Sequence, residues 1–351
     1  MAFNVVKNVA FRGLSVCVPN NVEENINLDI FRLGEAERVI AQTGIARKYV
    51  VKPGTELADL SEKALNELLE KLNWEKESLN LLIVVSSVGD YLIPSNANVF
   101  HGMFGLPESC FVFDIRQGCT GWLAGIHVAG SLLSNGHMKR AIVLCGDLNT
   151  VLNSPKDKEC RPLFGDCCSA TALEYDEAAP DIEFENGSRG SEFEAIMTPE
   201  GGFHHPFDEH SLEYVEFGEN MLRRGIDCRM DGMGVFSFAL SVAPKSFNAL
   251  CENFNIDINT IDYCLFHQAN QYMNEKIRKK LKLDPQKVPY SLQDFGNTAG
   301  ASIPVTIVSQ CRKDFAEKKL NNIACAFGVG LAWSSMHFVT DHIVCPDLIL
   351  Y

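Results

Sequence analysis

A cysteine, a histidine and an asparagine stand at positions in the chain where they could carry out nucleophilic chemistry together. Cys119 follows DIRQG, at a junction between a predicted strand and a predicted helix. A thiol at a helix N-terminus lies close to free N–H groups and to the positive end of the helix dipole. Both lower the pKa of a thiol and favour the reactive thiolate. We therefore expect Cys119 to be a nucleophile with a lowered pKa, the alternative being a buried core cysteine.

His267 and Asn297 are the two further candidates for this chemistry. His267 ends the predicted strand YCLF and opens the sequence HQAN. A histidine at a strand end commonly faces a cleft, where it could relay a proton or donate to a developing oxyanion. The alternative for this histidine is a satisfied surface or core position. Asn297, in GNTAGASIP, could cap a helix or hold an enolate or carbonyl oxygen with its amide.

The segments around these residues alternate between short apolar strands and longer helices. Near-continuous apolar runs at 79–88, 110–115 and 140–147 predict strands that are buried on both faces of a sheet. The segment 119–136 has a helical pattern rich in small residues, and Gly136 suits a C-cap. This alternation predicts an α/β fold.

The second half of the sequence repeats the order of the first. Residues 297–330 resemble residues 119–147, because each stretch runs from a polar residue through a helix rich in small residues into an apolar strand. The repetition predicts an internal duplication with pseudo-two-fold symmetry, in which Asn297 takes the place of Cys119.

The duplication suggests a division of the chain into two halves. We place the first half at 1–175, with the cysteine, and the second at 176–351, with the histidine and the asparagine. The acidic, glycine-rich segment 176–220 is predicted to form long loops and short strands that join them.

Composition and charge argue against several classes of function. The formal net charge of −14 argues against non-specific binding to nucleic acid, which needs Lys and Arg to neutralise phosphates. No apolar run approaches the roughly 18 residues that a membrane span needs, and the N-terminal residues lack the pattern of a secretory signal. The 13 cysteines include no CxxC pair, so we expect free thiols in a reducing compartment. The sequence thus predicts a cytoplasmic protein without a metal, flavin or nicotinamide cofactor.

Over nearly its whole length the sequence resembles the β-ketoacyl-acyl-carrier-protein synthase III family, ketosynthases of the thiolase superfamily. HQAN followed about 30 residues later by GNTAGASIP, with a cysteine upstream, is highly specific for this family. The motifs that carry the resemblance are TGI (43–45), PSNA (94–97), FDIRQGCTGW (113–122), LFGD (163–166), MDGMGVF (230–236), HQAN (267–270), GNTAGASIP (296–304) and FGVGLAW (327–333). The resemblance implies a thiolase-like α/β fold of two duplicated αβαβα-layered halves.

The resemblance also implies a role for each candidate residue. Cys119 would accept the acyl group, while His267 and Asn297 would position the extender thioester, assist its decarboxylation and stabilise the enolate. The backbone N–H groups of Cys119 and Val329 would form the oxyanion hole. These roles imply an acyltransferase that condenses an acyl-CoA primer with malonyl-acyl-carrier protein and works as a homodimer.

Three further residues fall at binding positions of the family. Gly232 and Asn270 stand where the family lines its pantetheine tunnel, and Ile93 stands where it sends a side chain into the acyl pocket of the dimer partner. Several other positions depart from the family's pattern, namely Gln42, Lys158, Ser237, Tyr272 and the bulky Trp122. These departures leave open the acyl primer, the choice between coenzyme A and carrier protein, and the pathway.

Two alternative functions are compatible with the same fold. The enzyme could pass the acyl group from Cys119 to an amine or hydroxyl acceptor, in a specialised or surface-polysaccharide pathway. The chain could also be a non-catalytic subunit of a heterodimer, although such subunits tend to lose the catalytic residues that are present here. Release of carbon dioxide from malonyl thioester separates the condensation from the simple acyl transfer.

The family usually has basic residues where this sequence has Gln42, Ser237 and Tyr272. Other basic residues that could replace them in docking occur in two places. The helix after HQAN carries Lys276, Arg278, Lys279, Lys280 and Lys282. This cluster is either a solvated face or a docking patch for an acidic carrier protein. The second place, upstream of MDGMG, has Arg223 and Arg224.

Overall fold

The structure, a computed structural model, describes residues 2–218 and 221–351; residue 1 and residues 219–220, the last two of the segment 176–220, lie outside the described part. The strands, in chain order, are β1 (Ala2–Val6), β2 (Val9–Val18), β3 (Val22–Glu24), β4 (Arg47–Tyr49), β5 (Leu81–Ser86), β6 (Phe111–Arg116), β7 (Arg140–Asp147), β8 (Cys167–Tyr175), β9 (Ile182–Ser188), β10 (Ile196–Met197), β11 (Val215–Glu216), β12 (Leu222–Arg223), β13 (Arg229–Met230), β14 (Tyr263–Phe266), β15 (Lys319–Gly328), β16 (Ala332–Asp341) and β17 (Ile349–Leu350).

The α-helices are α1 (Glu35–Thr43), α2 (Leu57–Leu72), α3 (Asn96–Met103), α4 (Gly121–Leu133), α5 (Asn149–Leu152), α6 (Gly232–Phe254), α7 (Gln271–Leu281), α8 (Leu292–Phe295), α9 (Ser302–Thr306) and α10 (Arg312–Glu317). Short 3₁₀ helices cover Asn25–Asn27, Lys76–Ser78, Gly190–Ala195, Ile258–Thr260, Pro285–Lys287 and Ala299–Ala301, and a π-helical turn covers Ile307–Cys311.

Two sheets of the described residues form the centre of the fold. The first sheet has the strand order β17-β2-β8-β7-β5-β6, and the second sheet has the order β1-β9-β16-β15-β14. Strand β1 therefore joins the second sheet, although it begins the chain, and β17 joins the first sheet, although it ends the chain. The predicted boundary between 175 and 176 stays a prediction.

The strand pairing supports the duplication that the sequence predicts. In the first sheet β5 runs parallel to β7, and β7 is antiparallel to β8. In the second sheet β14 runs parallel to β15, and β15 is antiparallel to β16 in the same way. The helical segments that precede β7 and β15 are α4 and the stretch 299–317, which begin next to Cys119 and Asn297. The two candidate residues thus occupy equivalent places in the two repeats.

The sheets and helices stack in five layers. Helix α2 covers the outer face of the first sheet, and α6 covers the outer face of the second. Helix α4 lies between the sheets, in contact with β5, β7 and β16. Its small residues allow this burial, since a Cβ added at Gly125 would lie 2.6 Å from Val143 Cγ1 and 2.9 Å from Val85 Cγ2. The central layer therefore fixes the start of α4, where Cys119 lies.

Two predictions about strands need correction. Strand β6 was expected to be buried on both faces, but it lies at the edge of the first sheet and Phe111 is 52 % exposed. The apolar sequence indicates a strand but does not say whether a neighbouring strand covers its free edge. Residues 176–218, the described part of the segment 176–220, are mostly loops and short strands as predicted, except that β9 is an internal strand paired with both β1 and β16.

Candidate active site

Cys119 lies in the turn between β6 and α4, against the loop that follows β15. Its residue is half-buried, whereas most of the other cysteines are buried. A Cβ added at Gly328 would lie 2.4 Å from Cys119 Sγ, so only a glycine allows the loop to approach this closely. Gly328 also has a φ of 154°, which L-residues rarely adopt. The loop thus depends on glycine both for its backbone and for its contact with the thiol.

The electrostatic environment of Cys119 differs from the sequence prediction. Burial raises the pKa of the thiol to about 11, and hydrogen bonds from the Val329 and Cys119 backbone only partly oppose this rise. The expectation of a lowered pKa is therefore wrong for the ligand-free site, because loss of solvation outweighs the helix N-terminus. The same two backbone groups, Cys119 and Val329, are those assigned to the oxyanion hole.

His267 follows β14 and is 2 % exposed, so it is buried at the strand end. Its backbone N–H donates to the Cys325 carbonyl at 2.9 Å, and its Nδ1 lies 2.8 Å from Ser302 Oγ. Burial lowers the pKa of His267 to about 4, while a backbone hydrogen bond with Ala299 acts in the opposite direction. The imidazole is therefore neutral at physiological pH and can donate or accept a hydrogen bond without carrying a charge.

Asn297 is held by the backbone on both sides. Its N–H donates to the Leu163 carbonyl at 2.8 Å, and its carbonyl accepts from the Gly165 N–H at 3.1 Å. Its side-chain Oδ1 accepts from the Ala299 N–H at 2.9 Å, as the capping interpretation predicts. This bond fixes the amide plane and leaves Nδ2 as the donor for a substrate oxygen.

The turns that carry Cys119 and Asn297 meet at three glycines. A Cβ added at Gly300 would lie 2.9 Å from the Gly118 carbonyl oxygen and 3.6 Å from the Gly121 Cα. The structure therefore brings the starts of the two central helices into backbone contact. His267 joins the same region through Ser302, on the helix that follows Asn297. The three candidate residues are thus linked through the starts of the two central helices, and their catalytic roles stay predictions.

Ser302 is a residue of the site that the sequence analysis did not single out. Its hydroxyl contacts His267 Nδ1, and it also accepts from the Gln268 N–H at 3.3 Å. Its position inside the motif GNTAGASIP is the sequence feature from which Ser302 could have been predicted.

The three predicted binding residues lie at different depths. Gly232 begins α6 beside open space, and Asn270 caps α7 by accepting from the Met273 N–H at 2.8 Å. Ile93 is 87 % exposed on the surface of the protomer. Their roles toward a substrate stay predictions.

The positions that depart from the family's pattern have clear structural surroundings. Trp122 is 1 % exposed and donates from Nε1 to Thr171 Oγ1 at 2.9 Å, so its bulk belongs to the core between the sheets. Tyr272 is 55 % exposed and stacks on Phe236 with ring centroids 5.8 Å apart. Lys158 pairs with Glu35 at 2.7 Å.

The proposed replacement charges at Arg223 and Arg224 are not free for docking. Arg223 is 3 % exposed and pairs with Asp157 at 2.7 Å and with Glu159 at 2.8 Å. Arg224 pairs with Asp227 at 2.7 Å. Both arginines hold the loops around 157 and 227 together, because a buried guanidinium needs carboxylate partners.

Metal-ligand clusters and membrane-spanning helices are both absent from residues 2–218 and 221–351. Among these residues, no three His, Cys, Asp or Glu side chains are grouped as metal ligands. In the same part of the chain, no helix is long and apolar enough to cross a membrane.

The five-layer duplicated fold defines a thiolase-like enzyme of the α/β class, and comparisons with known structures agree. A 3-oxoacyl-(acyl-carrier protein) synthase from Burkholderia xenovorans superimposes with a TM-score of 0.93 at 29% identity, over 100% of this chain and 99% of that one. A synthase III from Pseudomonas aeruginosa, at 24% identity, shares the fold with a TM-score of 0.81, over 96% of this chain and 100% of that one.

Sequence comparisons identify the family. Residues 113–190 match 3-oxoacyl-acyl-carrier-protein (ACP) synthase III, and residues 251–339 match its C-terminal part. A provisionally named 3-oxoacyl-acyl-carrier-protein synthase 3 of Campylobacter jejuni is 33% identical over 96% of this chain and 93% of that protein. A β-ketoacyl-acyl-carrier-protein synthase III of Clostridium perfringens is 29% identical over 94% of this chain and 98% of that protein. The chain belongs to the 3-oxoacyl-acyl-carrier-protein synthase III family, acyl-condensing transferases of the thiolase superfamily.

Proposed function

We propose that this enzyme catalyses a decarboxylative Claisen condensation through an acyl-Cys119 intermediate. The Cys119 sulfur attacks an acyl-CoA primer, forms a thioester and releases coenzyme A as its thiol. Malonyl-acyl-carrier protein then loses carbon dioxide, and its enolate carbon attacks the acyl carbonyl. Collapse of the tetrahedral intermediate releases β-ketoacyl-acyl-carrier protein and the Cys119 thiolate, which takes up a proton. The carbanion comes from the decarboxylation itself, so no metal, flavin or nicotinamide is needed.

The observation that carries this proposal is the close approach of the loop 328–330 to the Cys119 sulfur, where the backbone of Val329 opposes the rise in the pKa of the thiol. An N–H group that lies beside the nucleophile can also donate to the oxyanion that forms when the sulfur attacks a thioester carbonyl. With the N–H of Cys119 it makes a pair of donors on a loop fixed by Gly328. We assign the oxyanion hole to this pair.

His267 and Asn297 suit the second half-reaction. Loss of carbon dioxide moves negative charge onto the oxygen of the extender thioester, and that charge needs donors in a site with little water. Asn297 has its Oδ1 occupied by Ala299, so Nδ2 is presented as a donor. A neutral His267 can donate from its second ring nitrogen, and Ser302 fixes the orientation of the ring. We assign enolate stabilisation to these two side chains.

For the carrier protein we propose docking on the face of α7. Four lysines of this helix and its C-cap are exposed, whereas Arg278 pairs with Glu275 at 2.8 Å and serves the helix itself. The exposed residues are Lys276, Lys279, Lys280 and Lys282. They form a positive surface on a protein with a net charge of −14, and an acidic carrier would be attracted to it. The same helix is capped at its N-terminus by Asn270, which is proposed to contact pantetheine.

We also propose that the enzyme is a homodimer joined through the edge strand β6. Phe111 on this strand is 52 % exposed, and Leu92 and Ile93, in the loop between β5 and α3, are each 87 % exposed. An apolar, unpaired strand edge favours pairing with another strand. A partner at this edge would bring its own Ile93 towards the acyl pocket, which is the family's use of this position.

A cytoplasmic location completes the proposal. All 13 cysteines are free thiols, ten of them fully buried. Free thiols persist in a reducing compartment.

The test is intact-protein mass spectrometry after incubation with a panel of acyl-CoA and acyl-carrier-protein thioesters. We expect a mass increase of one acyl group in the wild type, none in Cys119→Ala, and an unchanged increase in the matched control Cys251→Ala. Cys251 is the appropriate control because it is another half-buried thiol, on α6. The absence of an adduct with every thioester would overturn the proposal and favour the non-catalytic subunit.

The acceptor is tested on the acylated enzyme. Addition of malonyl-acyl-carrier protein should release one carbon dioxide for each acyl group lost from Cys119. Loss of the acyl group to an amine or hydroxyl compound, without release of carbon dioxide from malonyl thioester, would instead establish the simple acyltransferase.

A further inference from the structure

Asp147 is a buried carboxyl group that the proposed mechanism does not use. It ends β7 and is 2 % exposed. Its Oδ1 accepts from Ser86 Oγ at 2.9 Å and from the Ser87 N–H at 2.7 Å, and its Oδ2 lies 3.4 Å from Ser87 Oγ. Burial raises its pKa to about 7, and the charge of Asp166 acts in the same direction. Asp147 therefore changes its charge close to neutral pH.

Ser87 connects this carboxyl group to the turn that carries the nucleophile. Its hydroxyl oxygen would lie 3.2 Å from a Cβ added at Gly118, the residue before Cys119. Its carbonyl accepts from Arg116 Nε at 3.1 Å, at the end of β6. Ser87 thus contacts the turn near its beginning and near Cys119, while Asp147 holds Ser87 from the far side.

Asp147 also acts on Cys119 directly through its charge. The ionised carboxylate disfavours a second negative charge nearby and so contributes to the raised pKa of Cys119. The other titratable groups coupled to Asp147 are Cys145, Cys167, Cys168 and Asp166. The buried thiols have pKa values above 9, so Asp147 is the group of this set that changes charge nearest to pH 7.

We propose that Asp147 is a positioning residue for the nucleophile: through Ser87 it holds the turn 116–119, and its carboxylate adds to burial in disfavouring a negative charge on Cys119. The inference rests on the proposed function only in taking Cys119 as the nucleophile. A protonated resting thiol is protected from oxidation, since the thiolate is the form that oxidants attack. The thiol would then lose its proton only when the sulfur attacks a bound acyl thioester.

Coupling between the two groups gives a specific pH profile. Below pH 7 Asp147 is neutral, and the thiolate fraction of Cys119 rises about tenfold for each pH unit. Around pH 7 the carboxylate forms and suppresses the thiolate, so the rise slows before it resumes at higher pH. A residue with a purely structural role would not produce this flattening.

The test is the rate of alkylation by iodoacetamide between about pH 5.5 and 9, followed by peptide mass spectrometry at each cysteine. For Cys119 in the wild type we expect the flattening near pH 7. In Asp147→Asn the flattening should disappear, and at pH 8 alkylation should be faster by about threefold or more. Asn keeps an oxygen that can accept from Ser87, so the turn should remain in place.

Two controls belong to the same experiment. Cys251, whose pKa burial also raises to about 11, has Glu252 and not Asp147 as its acidic neighbour, so its profile should be identical in both proteins. Asp166→Asn removes another buried carboxylate and should keep the flattening at Cys119, moved slightly to lower pH.

The alkylation profile of the wild type alone is enough to overturn the inference. A log rate for Cys119 that rises with a single slope through pH 7 would show that Asp147 does not act on the thiol. Superimposable profiles for wild type and a folded Asp147→Asn would do the same. A flattened profile in a protein that no thioester acylates would instead leave this inference standing and remove the proposed condensation.

Discussion

At Cys119, burial and hydrogen bonding act on the thiol in opposite directions. Burial removes water from the sulfur and raises its pKa to about 11, whereas the N–H groups of Val329 and Cys119 stabilise the thiolate. In the resting site burial prevails, so the sulfur is a thiol. When the carbonyl of a thioester occupies the site, the same N–H groups can stabilise the oxyanion instead. The pKa of about 11 therefore describes the thiol of the ligand-free site and not that of a complex with a thioester.

The pKa of His267 predicts the pH dependence of decarboxylation. Because burial lowers this pKa to about 4, the imidazole stays neutral from about pH 5 to 8 and the rate should show no loss around pH 6.5. Carbon dioxide release from malonyl-acyl-carrier protein by the acylated enzyme is the measurement. An acidic limb near pH 6.5 that disappears in His267→Gln would contradict the buried, neutral state.

The candidate catalytic residues could be predicted from the sequence, whereas their ionisation could not. Cys119, His267 and Asn297 lie in short motifs whose local pattern is specific. The pKa of Cys119 depends on Val329, which is distant in the chain and reaches the thiol only through the fold. The helix N-terminus was visible in the sequence, but the depth of burial was not.

At the scale of elements, the turn between β15 and β16 determines how the loop meets the nucleophile. Gly328 has a φ of 154° and Gly330 has a φ of 143°, so Val329 is held between two residues that only glycine suits. A side chain at 328 would occupy the space of the Cys119 side chain. The N–H of Val329 thus keeps its place because neither of the two flanking residues, Gly328 and Gly330, carries a side chain.

Gly328→Ala should therefore slow acylation strongly. The added Cβ would lie 2.4 Å from Cys119 Sγ, so the loop must move, and a displacement of this kind commonly costs about 100-fold in rate. The rate of acyl-adduct formation by mass spectrometry is the measurement.

The control Gly54→Ala has a positive φ of 87° but open space around its Cβ. It should lose about 1 kcal/mol of unfolding free energy from backbone strain and keep full acylation. Acylation of Gly328→Ala at the wild-type rate would show that the close contact with Cys119 does not matter.

The helix that precedes β15 shows where sequence patterns lose detail. Residues 297–330 predict one helix and one strand, yet the helical part divides into a 3₁₀ turn, α9, a π-helical turn and α10. A π-helical turn needs one extra residue per turn and depends on neighbouring side chains, which the helical period does not encode. Similarly, the place of β6 at the edge of the first sheet is not encoded by its own apolar residues.

At the scale of the molecule, the charges are distributed unevenly. The chain carries 45 acidic and 31 basic residues, but the exposed part of α7 is lysine-rich. An acidic carrier approaching elsewhere would meet repulsion, so in the proposed docking the helix face would both attract and orient the carrier. The exposed stack of Tyr272 on Phe236 at the start of this helix adds an apolar contact beside the charges.

The proposed dimer is tested by substitution at its edge strand. Phe111→Glu should weaken dimerisation at least tenfold, because burying an unpaired carboxylate costs more than about 1.4 kcal/mol. Light scattering during size-exclusion chromatography at several concentrations is the measurement. Leu33→Glu adds the same charge at a side chain that is 102 % exposed and should leave the dimer intact. A wild-type monomer with full condensation activity would contradict the dimer.

The exchange of terminal strands between the sheets makes the two halves depend on each other for folding. Strand β1 pairs with β9 in the second sheet, and β17 pairs with β2 in the first. A fragment that ends at 175 would lack β17 and would expose β1 without its partner strand. Two separately expressed halves should therefore assemble only by complementation, and the intact chain should unfold in one cooperative step rather than half by half.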